Sequence, residues 1–103
     1  MVKVIVLFNI KPDASVADYE AWARDRDVLA VTGLGSVDDF QVYRTNGLLG
    51  SADPAPYQYV ELIEVNDMEA FGRDLAVPIM QEVGVEFQRF AESITFMLAE
   101  RSA

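Results

Sequence analysis

The first ten residues limit the fold more than any other part of the chain. In Val2-Lys-Val-Ile-Val-Leu-Phe-Asn-Ile10, Val2, Val4, Val6, Phe8 and Ile10 fall on one parity and Lys3, Ile5, Leu7 and Asn9 on the other. Successive side chains of a strand leave opposite faces, so this β-branched segment is apolar on both sides. Any sheet that contains it must be covered twice, once by its own chain and once by something else. The apolar run is too short to cross a membrane and has no small-residue cleavage site, which gives an expected cytoplasmic location without membrane partners.

Lys11-Pro12-Asp13 stops the strand, and Ser15 with Asp18 resembles a capping box that opens a helix running to about Val31. Gly33 and Gly35 end it. A second strand is predicted from Val37 to Thr45, followed by a Gly- and Pro-containing loop to Pro56 and a third strand from Tyr57 to Val65. Asn66 with Glu69 is the predicted cap of a second helical region. Its apolar spacing through Met68, Phe71 and Leu75 resumes after Pro78 as Met80, Val83, Phe87 and Phe90. The last strand covers Ser93 to Ala99.

Strand, helix, strand, strand, helix, strand is the split βαββαβ, ferredoxin-like pattern: one α+β domain over residues 1–103 with a four-stranded antiparallel sheet. Two helices cover one face. Because Ile5, Leu7, Val60, Leu62 and Met97 are apolar too, the other face is expected to pack on a second copy, making a homodimer.

The 103 residues include no histidine and no cysteine. That excludes Ser-His-Asp triads, thiolate nucleophiles, Cys- or His-ligated zinc and haem on a proximal His. Proton transfer is left to Asp, Glu, Tyr or an unusual Lys. No EF-hand loop, Walker loop or dinucleotide fingerprint is present, so no metal and no cofactor are expected. Eight basic residues scattered among 17 acidic ones, for a net charge of -9, argue against nucleic acid.

On a regular helical wheel Val16, Tyr19, Trp22, Ala23, Arg26, Leu29 and Ala30 share one stripe, with Arg26 near its middle. Tyr19, Trp22 and Arg26 are therefore expected to line a pocket between helix and sheet, an aromatic wall with a fixed cation suited to an aromatic or anionic ligand. The competing reading is an Arg at the helix end with its stem packed on apolar neighbours. On the third strand Tyr57, Tyr59, Glu61, Ile63 and Val65 share a face, and Gln58, Val60, Leu62 and Glu64 the other. At least one of Glu61 and Glu64 should be buried with a raised pKa, unless it pairs with Arg44 or lies at a sheet end. Asn9, at the end of the first strand, is a candidate donor to a ligand oxygen.

Four blocks carry a resemblance: Tyr19-Glu-Ala-Trp-Ala-Arg-Asp-Arg-Asp27, Ser36-Val-Asp-Asp-Phe-Gln-Val-Tyr-Arg44, Pro56-Tyr-Gln-Tyr-Val-Glu-Leu-Ile-Glu-Val65 and Phe96-Met-Leu-Ala-Glu100. In this order, and nearly end to end, the chain resembles the RedY-like (HapK-type) proteins, associated with prodiginine pigments and related bisindole or bipyrrole metabolites. The resemblance implies a dimeric α+β barrel and cofactor-free handling of unstable pyrrole or indole intermediates, so a small aromatic ligand is the expected partner. A mechanism with a His base cannot transfer. The candidates for proton transfer are Asp27, Glu61, Tyr43 and Tyr59, with Arg26 steadying negative charge and Tyr19, Trp22, Tyr59 and Asn9 contacting substrate. Asp27 and Tyr43 are chosen mainly because they lie in the resembling blocks. The alternatives are a cofactor-independent monooxygenase of the antibiotic-biosynthesis type and a non-catalytic binding or stabilising subunit.

Overall fold

The computed structural model describes residues 2–103. Strands β1 (Val2–Ile10), β2 (Val37–Arg44), β3 (Tyr59–Val65) and β4 (Ala91–Glu100) form one antiparallel sheet in the order β2-β3-β1-β4. The most apolar strand, β1, lies inside the sheet between β3 and β4, where both of its edges are hydrogen-bonded. Between β1 and β2 the chain is helical as α1 (Val16–Trp22), a π-helical turn (Ala23–Asp27) and α2 (Val28–Thr32). Between β3 and β4 it forms α3 (Met68–Asp74) and α4 (Pro78–Phe90). This is the ferredoxin-like arrangement read from the sequence, an α+β sheet with its helices on one face.

Local chemistry accounts for the helix ends. The Ser15 side chain accepts from the Asp18 N–H and caps α1. Pro78 opens α4, where its missing N–H is no loss. The cap expected at Asn66 is instead Asp67, whose carboxylate accepts from the Ala70 N–H; Asn66 donates to the Gly35 carbonyl and to Asp38. The third strand starts at Tyr59 rather than Tyr57, because the Gln58 N–H is taken by the Asn9 side chain.

The core lies between β1, β3 and the helices. Phe8 stacks on Tyr59 with ring centroids 5.4 Å apart and meets Tyr19 edge-on at 5.5 Å. On the opposite face Ile5 pairs with Leu62 and Met97 across the sheet, and Leu7 with Val60. None of these five side chains reaches full burial within one chain. Between Leu7 and Asn9 the pairing with β4 shifts, and Ser93 adopts φ 54°. This bulge turns Ala91 and Ile94 to the same face despite their odd spacing. Among the described residues no helix is long and apolar enough to cross a membrane.

Candidate active site

The π-helical turn decides which side chains reach the interior. Tyr19, Ala23, Asp27 and Val31 are all buried although each follows the last by four residues. In an unbroken α-helix that spacing drifts by about 40° at each step and would carry Val31 well away from Tyr19. The Val28 N–H instead bonds the Ala23 carbonyl five residues back, and the wider turn takes up the drift. Downstream of the turn the stripe passes to Asp27 and Val31. Arg26, near the middle of the stripe on a regular wheel, and Leu29, at its edge, turn outward.

Asp27 and Glu61 both line a cavity of about 250 Å³ between sheet and helices. Its walls come from β1 (Val4, Val6), β3 (Ile63), α3 (Phe71), α4 (Met80, Val83, Phe87) and β4 (Ile94, Phe96). Gln88 is the remaining polar side chain on the wall. Asp27 is 5% and Glu61 6% exposed. Burial pushes the Asp27 carboxyl up to about 7. Burial, reinforced by the charge of Asp27, pushes Glu61 well above the usual carboxylate range. The Glu61 Oε1 and the Tyr19 hydroxyl are both buried without a hydrogen-bond partner. Burial raises the Tyr19 pKa, and the charges of Glu61 and Asp27 raise it further, so the phenol keeps its proton. Two buried carboxyls thus line a mainly apolar cavity, and Glu61 and the nearby Tyr19 each keep an unused bonding group. Such groups rarely stay unsatisfied unless something else completes them.

The other sequence candidates lie elsewhere. Arg26 does not line the cavity: its Nη2 donates to Glu86 at 2.8 Å and to Glu82 at 3.2 Å, both on α4. Trp22 also stands outside the lining, where its Nε1 donates to Glu86 at 2.7 Å and its ring packs between Tyr19 and Phe90. Arg26 and Trp22 together hold the Glu86 carboxyl below the usual range. The expected wall of Tyr19, Trp22 and Arg26 is therefore corrected to an α1–α4 clip behind the cavity. Tyr43 is half exposed on the far face of the sheet and donates to Gln41. Asn9 bridges the Gln58 N–H and the Pro56 carbonyl, which fixes the end of the loop and leaves no donor aimed at the cavity. Tyr59 is buried against Phe8 with its hydroxyl donating to Glu20, and burial pushes its pKa up to about 12.

Tyr19 and Tyr59 also border a shallow cleft of about 400 Å³ with Glu20, Arg24 and Arg44. There Arg44 and Tyr59 both bond Glu20. Glu64 pairs with Lys3 across the strands at 2.9 Å, which leaves Glu61 as the carboxylate of β3 without a counter-ion. Among the described residues no three acidic side chains come close enough to hold a metal ion.

Residues 2–102 match the sequence pattern of the REDY-like protein HapK. The chain belongs to the REDY-like protein HapK family. HapK from Hahella chejuensis, in its crystal structure, is 28% identical and superposes with a TM-score of 0.82, over 99% of this chain and 93% of HapK. Two further structures share the fold at lower identity. SnoaB, a cofactor-independent oxygenase from Streptomyces nogalater, is 16% identical with a TM-score of 0.79, over 99% of this chain and 93% of SnoaB. A dimeric protein of unknown function with a ferredoxin-like fold from Bacteroides fragilis is 17% identical with a TM-score of 0.67, over 97% of this chain and 95% of its own. Comparison with curated protein sequences finds no match.

Proposed function

We propose that this protein is a small biosynthetic homodimer that binds one electron-rich aromatic intermediate in the cavity and directs its fate by proton transfer, without a cofactor. The intermediate is of the pyrrole or indole kind that prodiginine and bisindole pathways handle, a reading supported by membership of the HapK family. The observation that carries the proposal is the Asp27–Glu61 pair buried in an apolar cavity.

Two carboxyls with raised proton affinities can do what histidine does elsewhere. Near neutral pH Asp27 populates both protonation states, while burial and the charge of Asp27 make Glu61 hold its proton more tightly than an ordinary carboxyl does. A ring carbon of high electron density accepts the proton from Glu61, and the carboxylate left behind balances the charge of the ring cation. Asp27 then takes a proton from the same or a neighbouring ring atom, so the pair exchanges protons with substrate and no electrons are gained or lost. The apolar walls exclude the water that would otherwise trap the cation. A cavity of about 250 Å³ lies just below the ~300–1,000 Å³ of drug-sized sites, which favours a substrate of one or two rings.

The half-covered apolar face of Ile5, Leu7, Val60, Leu62 and Met97 supports pairing with a second copy. Light scattering at micromolar concentration tests this, and a monomer contradicts it. The chemistry is tested by hydrogen–deuterium exchange at C3 of indole in D2O, followed by proton NMR. The wild-type protein should accelerate exchange, and Asp27→Asn should slow it; no acceleration over buffer refutes proton transfer in the cavity. An oxygen electrode with an anthrol-like substrate distinguishes an oxygenase, for which uptake is required.

A further inference from the structure

The polar groups inside the cavity determine which aromatic compounds it accepts, a point that rests on the cavity being the ligand site as proposed above. Glu61 is among the residues that line the cavity, and its Oε1 is buried and bonded to nothing. No lysine or arginine is among the residues lining the cavity, and Arg26, the cation expected there, is bound by Glu82 and Glu86 outside it. An aromatic ligand that offers only a π-face leaves the Glu61 oxygen orphaned and dry, the costliest state for a polar group. A ligand carboxylate fares worse, because its charge would sit beside Asp27 and Glu61 with no cation to offset it.

We infer that the site recognises a heteroaromatic ring N–H, which donates to the Glu61 carboxyl, and that it discriminates against N-alkylated and carboxylate-bearing rings. The aromatic side chains on the walls, Phe71, Phe87 and Phe96, then hold the ring while the single polar contact sets its orientation. The contact is made by one of the two carboxyls of the proposed proton-transfer pair. Recognition and chemistry thereby share the same pair.

Isothermal titration calorimetry with two isomers of equal size tests the inference: 3-methylindole, which keeps the ring N–H, and 1-methylindole, which lacks it. Wild-type protein should bind 3-methylindole about tenfold or more tightly than its isomer. The ratio should fall towards one in Glu61→Leu, whose fold is checked by circular dichroism. Indole-2-carboxylate should bind wild type more weakly than 3-methylindole. Equal binding of the two methylindoles, or tighter binding of the carboxylate, overturns the inference and leaves the cavity as a ligand site intact. Failure of all three to bind overturns both. The wild-type comparison does not depend on any variant folding.

Discussion

Replacing Asp27 by asparagine removes one titrating group from the interior and keeps its shape. In wild type the Asp27 carboxyl has its pKa raised from 3.8 to about 7 by burial. The native state therefore binds this proton more tightly than the unfolded chain, and the linked stability is present below pH 4 and lost as pH rises to 7. At about 1.4 kcal/mol for each tenfold change in proton affinity, the loss approaches about 4 kcal/mol above pH 7. That is a large share of the roughly 5–15 kcal/mol of a typical domain. The amide introduced by Asp27→Asn does not titrate, so the stability difference, variant minus wild type, should rise by about 4 kcal/mol between pH 4 and pH 8. Surface carboxylates act equally in both proteins and cancel, whereas relief of Glu61 from its charged neighbour adds to the gain. The assay is urea denaturation of both proteins across this pH range at one fixed protein concentration. Parallel curves, with a difference independent of pH, would refute a buried, destabilising Asp27.

Glu61→Leu fills the same space without a buried carboxyl and should raise stability by about 1–4 kcal/mol at pH 7 while abolishing proton exchange on indole; loss of stability in thermal melts contradicts the unpaired state of Glu61. Ser93 holds a left-handed φ of 54° at the β4 bulge, so Ser93→Gly should stabilise by up to about 1 kcal/mol and Ser93→Val should destabilise, both read from denaturation midpoints. Glu86→Ala should lower the melting temperature more than Arg26→Ala, since it frees the Trp22 Nε1 as well as the guanidinium, and neither should alter 3-methylindole binding measured by calorimetry.

The architecture was legible because periodicity and turn chemistry agreed. The two-sided apolar pattern of β1 called for cover on both faces of the sheet, and Pro78 marked the start of α4 where the structure has it. Glu61 was legible only as one of two β3 carboxylates among apolar neighbours, one on each face; the structure separates them by pairing Glu64 with Lys3. The helical stripe misled at Arg26 because a regular wheel assumes 3.6 residues per turn, and nothing in Ala23-Arg-Asp-Arg-Asp27 announces a π-helical turn. Asp27 therefore entered mainly through the family resemblance, although it is the residue that the turn brings inside. Glu86 was missed because its role depends on how α4 lies against α1, a pairing that no local pattern encodes. Its one trace is the Glu82/Glu86 spacing along one side of α4, which suits a cation on a neighbouring helix.

Carbon-13 NMR titration of the side-chain carboxyls, with and without 3-methylindole, tests the working pair most directly. Two of the carboxyl signals, assigned through Asp27→Asn and Glu61→Leu, should titrate clear of the exposed acids, that of Asp27 near pH 7 and that of Glu61 well above the usual carboxylate range, and both should move when 3-methylindole is added. Titration of Asp27 and Glu61 in the ordinary range around pH 4, or signals indifferent to the ligand, would contradict a buried carboxyl pair that binds and protonates an aromatic ring.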